Sequence, residues 1–312
     1  METVLVFGGS GFVGRHLVER LLDAGFAVTV FGPSPEPCLD GRLLDRIAFV
    51  EGSITDRDAV AAAIRESGAD RIVSLAAYGE GGGGLVRAAA ADGAKAFAVN
   101  VEGFRTLLDA VAEAGTSRLL WASSTTVFGH PSEYGNQPVD ETAAPRPASL
   151  YGLTKALAEQ VADYYRTRHG VAVTGVRLPL LFGPGLWYAG AGAAIRGAYA
   201  AAARGEPVTV EGDPAPFDLM YVKDVAALCL HLLRHRGPLA PIYNVNGFTT
   251  TFAAIARALA ARTGTAVDHR DVPAALLYPP MATGRLEAET GFRPAFDLDR
   301  ATADFLATLE TD

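Results

Sequence analysis

Sulfur is scarce in this chain, and long apolar or basic runs are missing. Its 312 residues hold two cysteines, Cys38 and Cys229. They stand apart, without the spacing of a disulfide framework or a cysteine metal site, so neither is expected. Lone thiols suit a reducing compartment, and a cytoplasmic protein is expected. The 27 Lys+Arg are outnumbered by 35 Asp+Glu, giving a formal net charge of −8. No basic tract exists to neutralise phosphates or an anionic bilayer, which argues against nucleic acid and membrane as partners. The apolar stretch 3–7 is too short for a secretory signal, and the Ala-rich stretch 190–203 is broken by Arg196, so no membrane span is expected. His231 and His235 lie four apart without a third ligand nearby, which reads as a solvated helix face, and no metal is expected. His16 and His169 likewise read as helix-face residues.

What the chain has is core. Hydrophobic residues make up 49% of it, enough for one large domain and a smaller lobe. Short apolar runs at Val4–Phe7, Phe26–Phe31, Ile47–Val50, Arg71–Ala76, Arg118–Ala122 and Val171–Leu178 read as strands. Helical periodicity separates several of them, at Phe12–Ala24, Asp56–Ser67, Lys95–Ala114 and Ser149–His169. That alternation predicts an α/β fold, a Rossmann-type doubly wound parallel sheet with right-handed crossovers. After Leu178 the alternation fades into Gly- and Pro-rich loops and helices near 189–204, 223–236, 251–263 and 299–309, with one more strand at 242–245. The expected division is a dinucleotide-binding domain of residues 1–178 and about 220–248, and a discontinuous C-terminal substrate lobe of about 179–219 and 249–312.

Two motifs carry chemistry. The first strand runs into Gly8-Gly9-Ser10-Gly11-Phe12-Val13-Gly14. Gly8 permits a tight turn, Gly11 lets pyrophosphate approach the backbone, and Gly14 lets helix and strand pack closely. The helix amino terminus then faces the phosphates. The second motif is Tyr151 and Lys155, four apart and so on one helix face. A phenol beside an ammonium is an acid–base device, because the positive charge favours phenolate. A nucleotide loop with such a pair suggests hydride transfer at a carbon bearing oxygen.

An ordered set of motifs extends this reading. Leu75-Ala76-Ala77, Asn100-Val101-Glu102-Gly103, Ser123–Gly129, Tyr151/Lys155, Phe182-Gly183-Pro184-Gly185, Tyr221–Val225, Tyr243-Asn244-Val245 and Thr290–Pro294 follow the glycine loop. In this order the chain resembles the extended short-chain dehydrogenases/reductases, the NAD-dependent epimerase/dehydratase family, over nearly its whole length. The resemblance implies that Tyr151 is the general acid/base, that Lys155 holds the nicotinamide ribose and depresses the tyrosine's pKa, and that Ser124 bonds the same substrate oxygen. It implies a cofactor, NAD or NADP, on Gly8, Gly11, Phe12, Val13, Gly14, Gly32, Ser34, Ser53, Ile54, Leu75, Ala76, Ala77, Asn100, Tyr151, Lys155 and Leu178. A small-molecule substrate would meet Tyr78, Ser124, Thr125, Thr126, Leu180, Trp187 and Phe217. Pairing of the helices 95–114 and 149–169 would give a homodimer.

Departures from the family pattern narrow the function. NAD-preferring members carry an acidic residue about where Gly32 stands, and none is here, so NAD versus NADP stays open; Ser34 or Arg42 would reach a 2′-phosphate. Ser53 stands where an adenine-contacting aspartate is common. Ser124-Thr125-Thr126 lacks the Asp-Glu pair of sugar 4,6-dehydratases, which argues against water elimination. Leu180 replaces an asparagine, and Phe217 an arginine, of nucleotide-sugar epimerases, which removes a bidentate phosphate donor. Leu180, Leu181, Phe182, Trp187, Tyr188, Phe217 and Met220 are expected to form an apolar wall instead. The lead reading is an oxidoreductase acting on a secondary alcohol or ketone; a sugar or nucleotide-sugar epimerase is the alternative, and a non-catalytic dinucleotide sensor a third. The run 79–84, rich in glycine, is read as a lip over the substrate, and the polar link 131–147 as lying over the site mouth.

Overall fold

A computed structural model of the chain describes residues 2–79, 82–115 and 118–309. Twelve strands are present among them: β1 (Thr3–Phe7), β2 (Ala27–Gly32), β3 (Ala48–Glu51), β4 (Arg71–Ser74), β5 (Arg118–Ser124), β6 (Val173–Leu178), β7 (Leu180–Phe182), β8 (Val208–Gly212), β9 (Phe217–Tyr221), β10 (Ile242–Asn244), β11 (Phe248–Thr250) and β12 (Val267–Asp271). Seven form one sheet in the order β10-β6-β5-β4-β1-β2-β3, every pair parallel. From β1 the chain winds outward to β3, then returns to β4 on the other side of β1. That reversal is a switch point, where such sheets open a crevice at the strands' carboxyl ends. The glycine loop leaves β1 there.

Side chains of β1 alternate between two cores, as a strand covered on both faces requires. Val4 and Val6 join Leu17, Leu21, Val225 and Leu228 from the helices Phe12–Asp23 and Val222–Arg234. Leu5 and Phe7 join Ile64, Leu107, Leu108 and Ala158 from the helices Arg57–Ser67, Phe104–Ala114 and Leu150–His169. A third core, of Phe182, Tyr199, Leu219, Tyr221, Ile255 and Phe305, fills the C-terminal lobe. There β11-β9-β7 form one small sheet and β12-β8 another.

The strands of the large sheet lie where the periodicity placed them, to within two residues at each end. Those of the lobe were not legible. They are three to five residues long, and β12, Val-Asp-His-Arg-Asp, is half-buried only at Val267. The expected boundary near residue 220 falls inside β9, which pairs with β7 and β11 of the lobe. The expected helix 95–114 is three pieces: Gly93–Phe97, a π-helical turn Ala98–Gly103, and Phe104–Ala114. A turn of this kind inserts a residue into the ladder and is frequent at functional sites.

Two histidine readings need correction. His231 is half-buried rather than on an open face: its Nε2 lies 2.8 Å from the Thr290 carbonyl and its ring 5.5 Å from that of Phe292. His16 lies 2.9 Å from the Pro184 carbonyl, and burial pushes its pKa down.

Candidate active site

The glycine loop is closed on the protein side and open on the other. Gly8 has φ +76°, and a Cβ there would lie 2.9 Å from the Ala76 amide nitrogen. Only glycine takes that conformation readily, so the loop rests directly on Leu75-Ala76 beyond β4. A Cβ on Gly14 would meet the Gly8 carbonyl at 2.4 Å, which seats the helix on the strand. The helix Phe12–Asp23 begins at Gly11, which offers no side-chain cap. Its first amides have no intrahelical acceptor, so they and the helix dipole suit a pyrophosphate.

At the carboxyl end of β5, Ser124 turns into the 3-10 turn Thr125–Val127. Its Oγ accepts from the Thr126 amide at 3.2 Å and from Thr126 Oγ1 at 3.0 Å. With both acceptor positions taken, the Ser124 hydroxyl has its proton left to donate. The helix Leu150–His169 brings the recipient. Ser149 caps it by accepting from the Gly152 amide at 3.1 Å. A Cβ on Gly152 would lie 2.1 Å from the Thr126 carbonyl, so glycine there lets the helix press against the end of β5. Tyr151, 6% exposed, is thereby brought towards Ser124, whose hydroxyl favours the phenolate.

Lys155 is 4% exposed and donates to the Ala122 carbonyl at 2.8 Å. Its Nζ is 5.8 Å from the Tyr151 ring centroid. Burial pushes its pKa down to about 8, against the pull of Glu159. The expected lowering of the Tyr151 pKa by Lys155 is corrected here. Burial raises the phenol well above its ordinary value, Tyr188 and Tyr278 add to the rise, and only the Ser124 hydrogen bond opposes it. Desolvating an anion outweighs one hydrogen bond in a closed pocket.

Asn100 sits in the π-helical turn, buried. Its Oδ1 accepts from the Tyr78 amide at 2.8 Å, and its Nδ2 donates to Thr154 Oγ1 at 3.0 Å. Thr154 in turn donates to the Tyr151 carbonyl at 2.8 Å. Asn100 therefore ties the segment beyond β4 to the Tyr151 helix, a wider role than fixing its own helix end. Thr154 was not singled out from sequence, although it sits one residue before Lys155 inside the motif.

Other expected contacts scatter. Ile54 is buried beside Gly103. Ser53 bonds Thr55, 2.7 Å between hydroxyls, and Ser34 accepts from the Glu36 amide at 3.1 Å. Leu178 ends β6 beside Ser124, and Gly32 ends β2 with Ser10 Oγ 3.5 Å from where its Cβ would be. The expected apolar wall divides. Phe182 and Met220 are fully buried, Leu180 packs on the lobe core, and the Phe217 ring lies 4.7 Å from that of Phe252. Leu180, Phe182 and Phe217 pack in the lobe, where β7 and β9 pair, whereas Met220 joins Val225 in the core around β1. Trp187 is 45% exposed, and Tyr188 packs on Phe12 at 6.2 Å. Of the glycine run, Glu80 and Gly81 lie outside the described residues. The Gly82 carbonyl accepts from the Ala189 amide at 2.7 Å, so the run meets the Trp187–Ala189 segment. The link 131–147 is held by Val139, whose amide donates to Pro280 O at 2.9 Å and whose carbonyl accepts from Ala282 at 2.8 Å. A lobe pocket of about 430 Å³ between Ala202, Arg262 and Leu306 contains none of these residues. Among the described residues no helix is long and apolar enough to cross a membrane.

The fold is that of a dinucleotide-binding α/β protein, with Ser124, Tyr151 and Lys155 gathered at the carboxyl ends of its strands. Residues 4–246 match the NAD dependent epimerase/dehydratase family, and the chain belongs to it. Over 175 residues it is 27% identical to a UDP-glucose 4-epimerase of Streptococcus mutans, covering 56% of this chain and 50% of that protein. The chain thus spans about half the length of that curated relative. It is similar in structure to the UDP-glucose 4-epimerase of Thermus thermophilus in complex with NAD, at TM-score 0.83 and 26% identity over 99% of both chains. A monomeric L-threonine 3-dehydrogenase from a metagenome shares the fold at TM-score 0.84 and 19% identity, again over 99% of both chains.

Proposed function

We propose that the chain is an NAD(P)-dependent oxidoreductase that moves hydride between nicotinamide and a secondary alcohol or ketone of a small molecule. The observation that carries this is the packing of the Tyr151 helix on the end of β5 next to Ser124, with Lys155 buried beside the Tyr151 ring and an uncapped helix amino terminus following β1 in the same sheet. The bound dinucleotide would supply a hydride acceptor or donor at C4 of its nicotinamide. Gly11, Phe12, Val13 and Gly14 would hold its pyrophosphate, and Lys155 its nicotinamide ribose. Tyr151, as phenolate, takes the hydroxyl proton of the alcohol; as phenol, it returns a proton to the ketone. Ser124 donates to the same oxygen and orients it.

The absence of a carboxylate at the end of β2 supports either dinucleotide. Phe217, turned to Phe252 rather than to a diphosphate, supports a substrate that is not a nucleotide sugar. The likeness to UDP-glucose 4-epimerases supports a second reading, in which the ketone is re-reduced on its other face by the same residues. Leu153 and Tyr164 are 38% and 55% exposed on the helix Leu150–His169, which supports pairing of two copies there. A cytoplasmic location fits two buried free thiols.

The test supplies NAD or NADP with cyclohexanol, vicinal cyclohexanediol or UDP-glucose and follows nicotinamide reduction and UDP-galactose formation. Net reduction with a simple alcohol is expected. Conversion of UDP-glucose without net reduction would replace the lead reading by the second, and failure to bind either dinucleotide would remove both.

A further inference from the structure

Trp121 lies on β5, three residues before Ser124, and is 3% exposed. Its ring packs on that of Phe104, 4.5 Å between centroids. A Cβ on Gly175 would lie 2.9 Å from Trp121 Nε1, so glycine on β6 makes room for an indole. That Nε1 is buried and meets no hydrogen-bond acceptor among the described residues. Few buried donors are left so, and each asks for a reason. The ring face supplies one. Lys155 Nζ stands over the indole, 5.7 Å from its centroid, and 5.8 Å from that of Tyr151. A buried ammonium is costly unless it is paired. Glu159, one helical turn on, attracts it, but its oxygens are held by Arg177 and Ser123. The Ala122 carbonyl takes one of the three ammonium donors, at 2.8 Å, and the two rings turn their negative faces toward the charge.

We infer that Trp121 is a positioning residue: its indole face seats the Lys155 ammonium, keeping it charged and in place beside Tyr151 for the nicotinamide ribose. The role toward the ribose rests on the oxidoreductase reading; the seat itself does not. Indole holds a cation better than the other side-chain rings, which accounts for a tryptophan here despite its unpaired N–H. A phenylalanine would fill the core without that cost. The charged groups around the ammonium are Glu159 on its own helix and Arg177 from β6, which pair with each other, and Tyr151 is the titratable neighbour. A ring face favours the charged form, so its removal leaves Glu159 alone to oppose burial, and the ammonium then loses its proton at lower pH.

The test titrates the full chain by NMR, with lysine labelled by carbon-13 at Cε. Lys95, Lys155 and Lys223 are its only lysines, and the Lys155 signal is the one that Lys155→Met removes. Trp121→Leu is expected to lower the Lys155 midpoint by about one pH unit, and Trp121→Phe, which keeps a ring, by less than about half of that. Both variants leave a cavity and melt earlier. A tryptophan that merely fills the core would lower both melting temperatures and leave both midpoints alone. Calorimetry at about pH 8 gives the functional readout: NADH or NADPH binding should weaken about tenfold in Trp121→Leu and less than about threefold in Trp121→Phe. Trp187→Phe gives a readout that spares the core, since Trp187 is 45% exposed and Trp121 is then the only tryptophan. Its emission should titrate at the Lys155 midpoint and lose that step when Lys155→Met is added. An unchanged midpoint in Trp121→Leu, or emission without that step, would overturn the inference. A lowered midpoint with unaltered dinucleotide affinity would overturn the positioning role. A lowered midpoint in a chain whose wild type binds neither dinucleotide would overturn the oxidoreductase reading and leave the seat standing.

Discussion

Tyr151→Phe lowers kcat by about 10³-fold while dinucleotide affinity stays unchanged, as expected for loss of a positioned general acid/base. The substitution removes one oxygen and keeps the buried ring. No neighbour can take over. Ser124 Oγ accepts two hydrogen bonds from Thr126 and is oriented to donate, and Lys155 is committed to the Ala122 carbonyl. Burial holds the phenol above its ordinary pKa, which sets the direction of the pH dependence. Alcohol oxidation needs the phenolate, so its rate climbs as pH rises. Ketone reduction needs the protonated phenol, which is abundant at neutral pH, so its rate is flat there. The variant loses the alkaline climb. Steady-state rates against pH for both proteins check this; a variant retaining a tenth or more of the wild-type rate would place the acid/base elsewhere.

The second large effect concerns stability. Arg177, its side chain 4% exposed, pairs with Glu159, 12% exposed. The contact is bidentate, Nε to Oε1 at 2.9 Å and Nη2 to Oε2 at 2.8 Å. Ser123 donates to Glu159 Oε1 at 2.6 Å, and Arg177 Nη1 reaches Asn244 Oδ1 at 3.3 Å. The guanidinium also covers the Phe128 ring at 4.8 Å. The cluster joins β5, β6, β10 and the Tyr151 helix immediately behind Ser124. Arg177→Met strands a buried carboxylate and is expected to destabilise by about 3–5 kcal/mol. Removing the carboxylate as well, in Arg177→Met/Glu159→Leu, should recover most of that, because the uncompensated charge causes the loss. Urea unfolding at neutral pH measures both. A single variant within about 1 kcal/mol of the wild type would mean that the pair is solvated.

The large sheet was legible because each of its strands is a short apolar run between helical repeats, and that pattern follows from burial on both faces. The glycine loop and the Tyr151–Lys155 pair were legible because their geometry is local: a turn, and one helical turn. Ser124 needed the ordered motif set, since a serine at a strand end is ordinary. The apolar wall divides for a different reason. Leu180, Phe182, Phe217 and Met220 have the composition of a substrate surface, but composition does not tell a wall from a core, and the fold buries Phe182 and Met220 fully while leaving Leu180 and Phe217 half-buried. The raised Tyr151 phenol was misjudged because a charge four residues away is visible in sequence, whereas the desolvation that outweighs it is not.

On the proposed function, Tyr151 and Ser124 address one substrate oxygen at the point where a nicotinamide, held from the glycine loop, presents its reactive carbon. A crystal structure of the chain with NAD(P)H and a bound ketone tests it most directly. The ketone oxygen is expected within hydrogen-bond distance of both Tyr151 Oη and Ser124 Oγ, and its carbonyl carbon about 3–3.5 Å from C4 of the nicotinamide. A nicotinamide turned away from Tyr151, or a pyrophosphate bound elsewhere than on Gly11–Gly14, would contradict it.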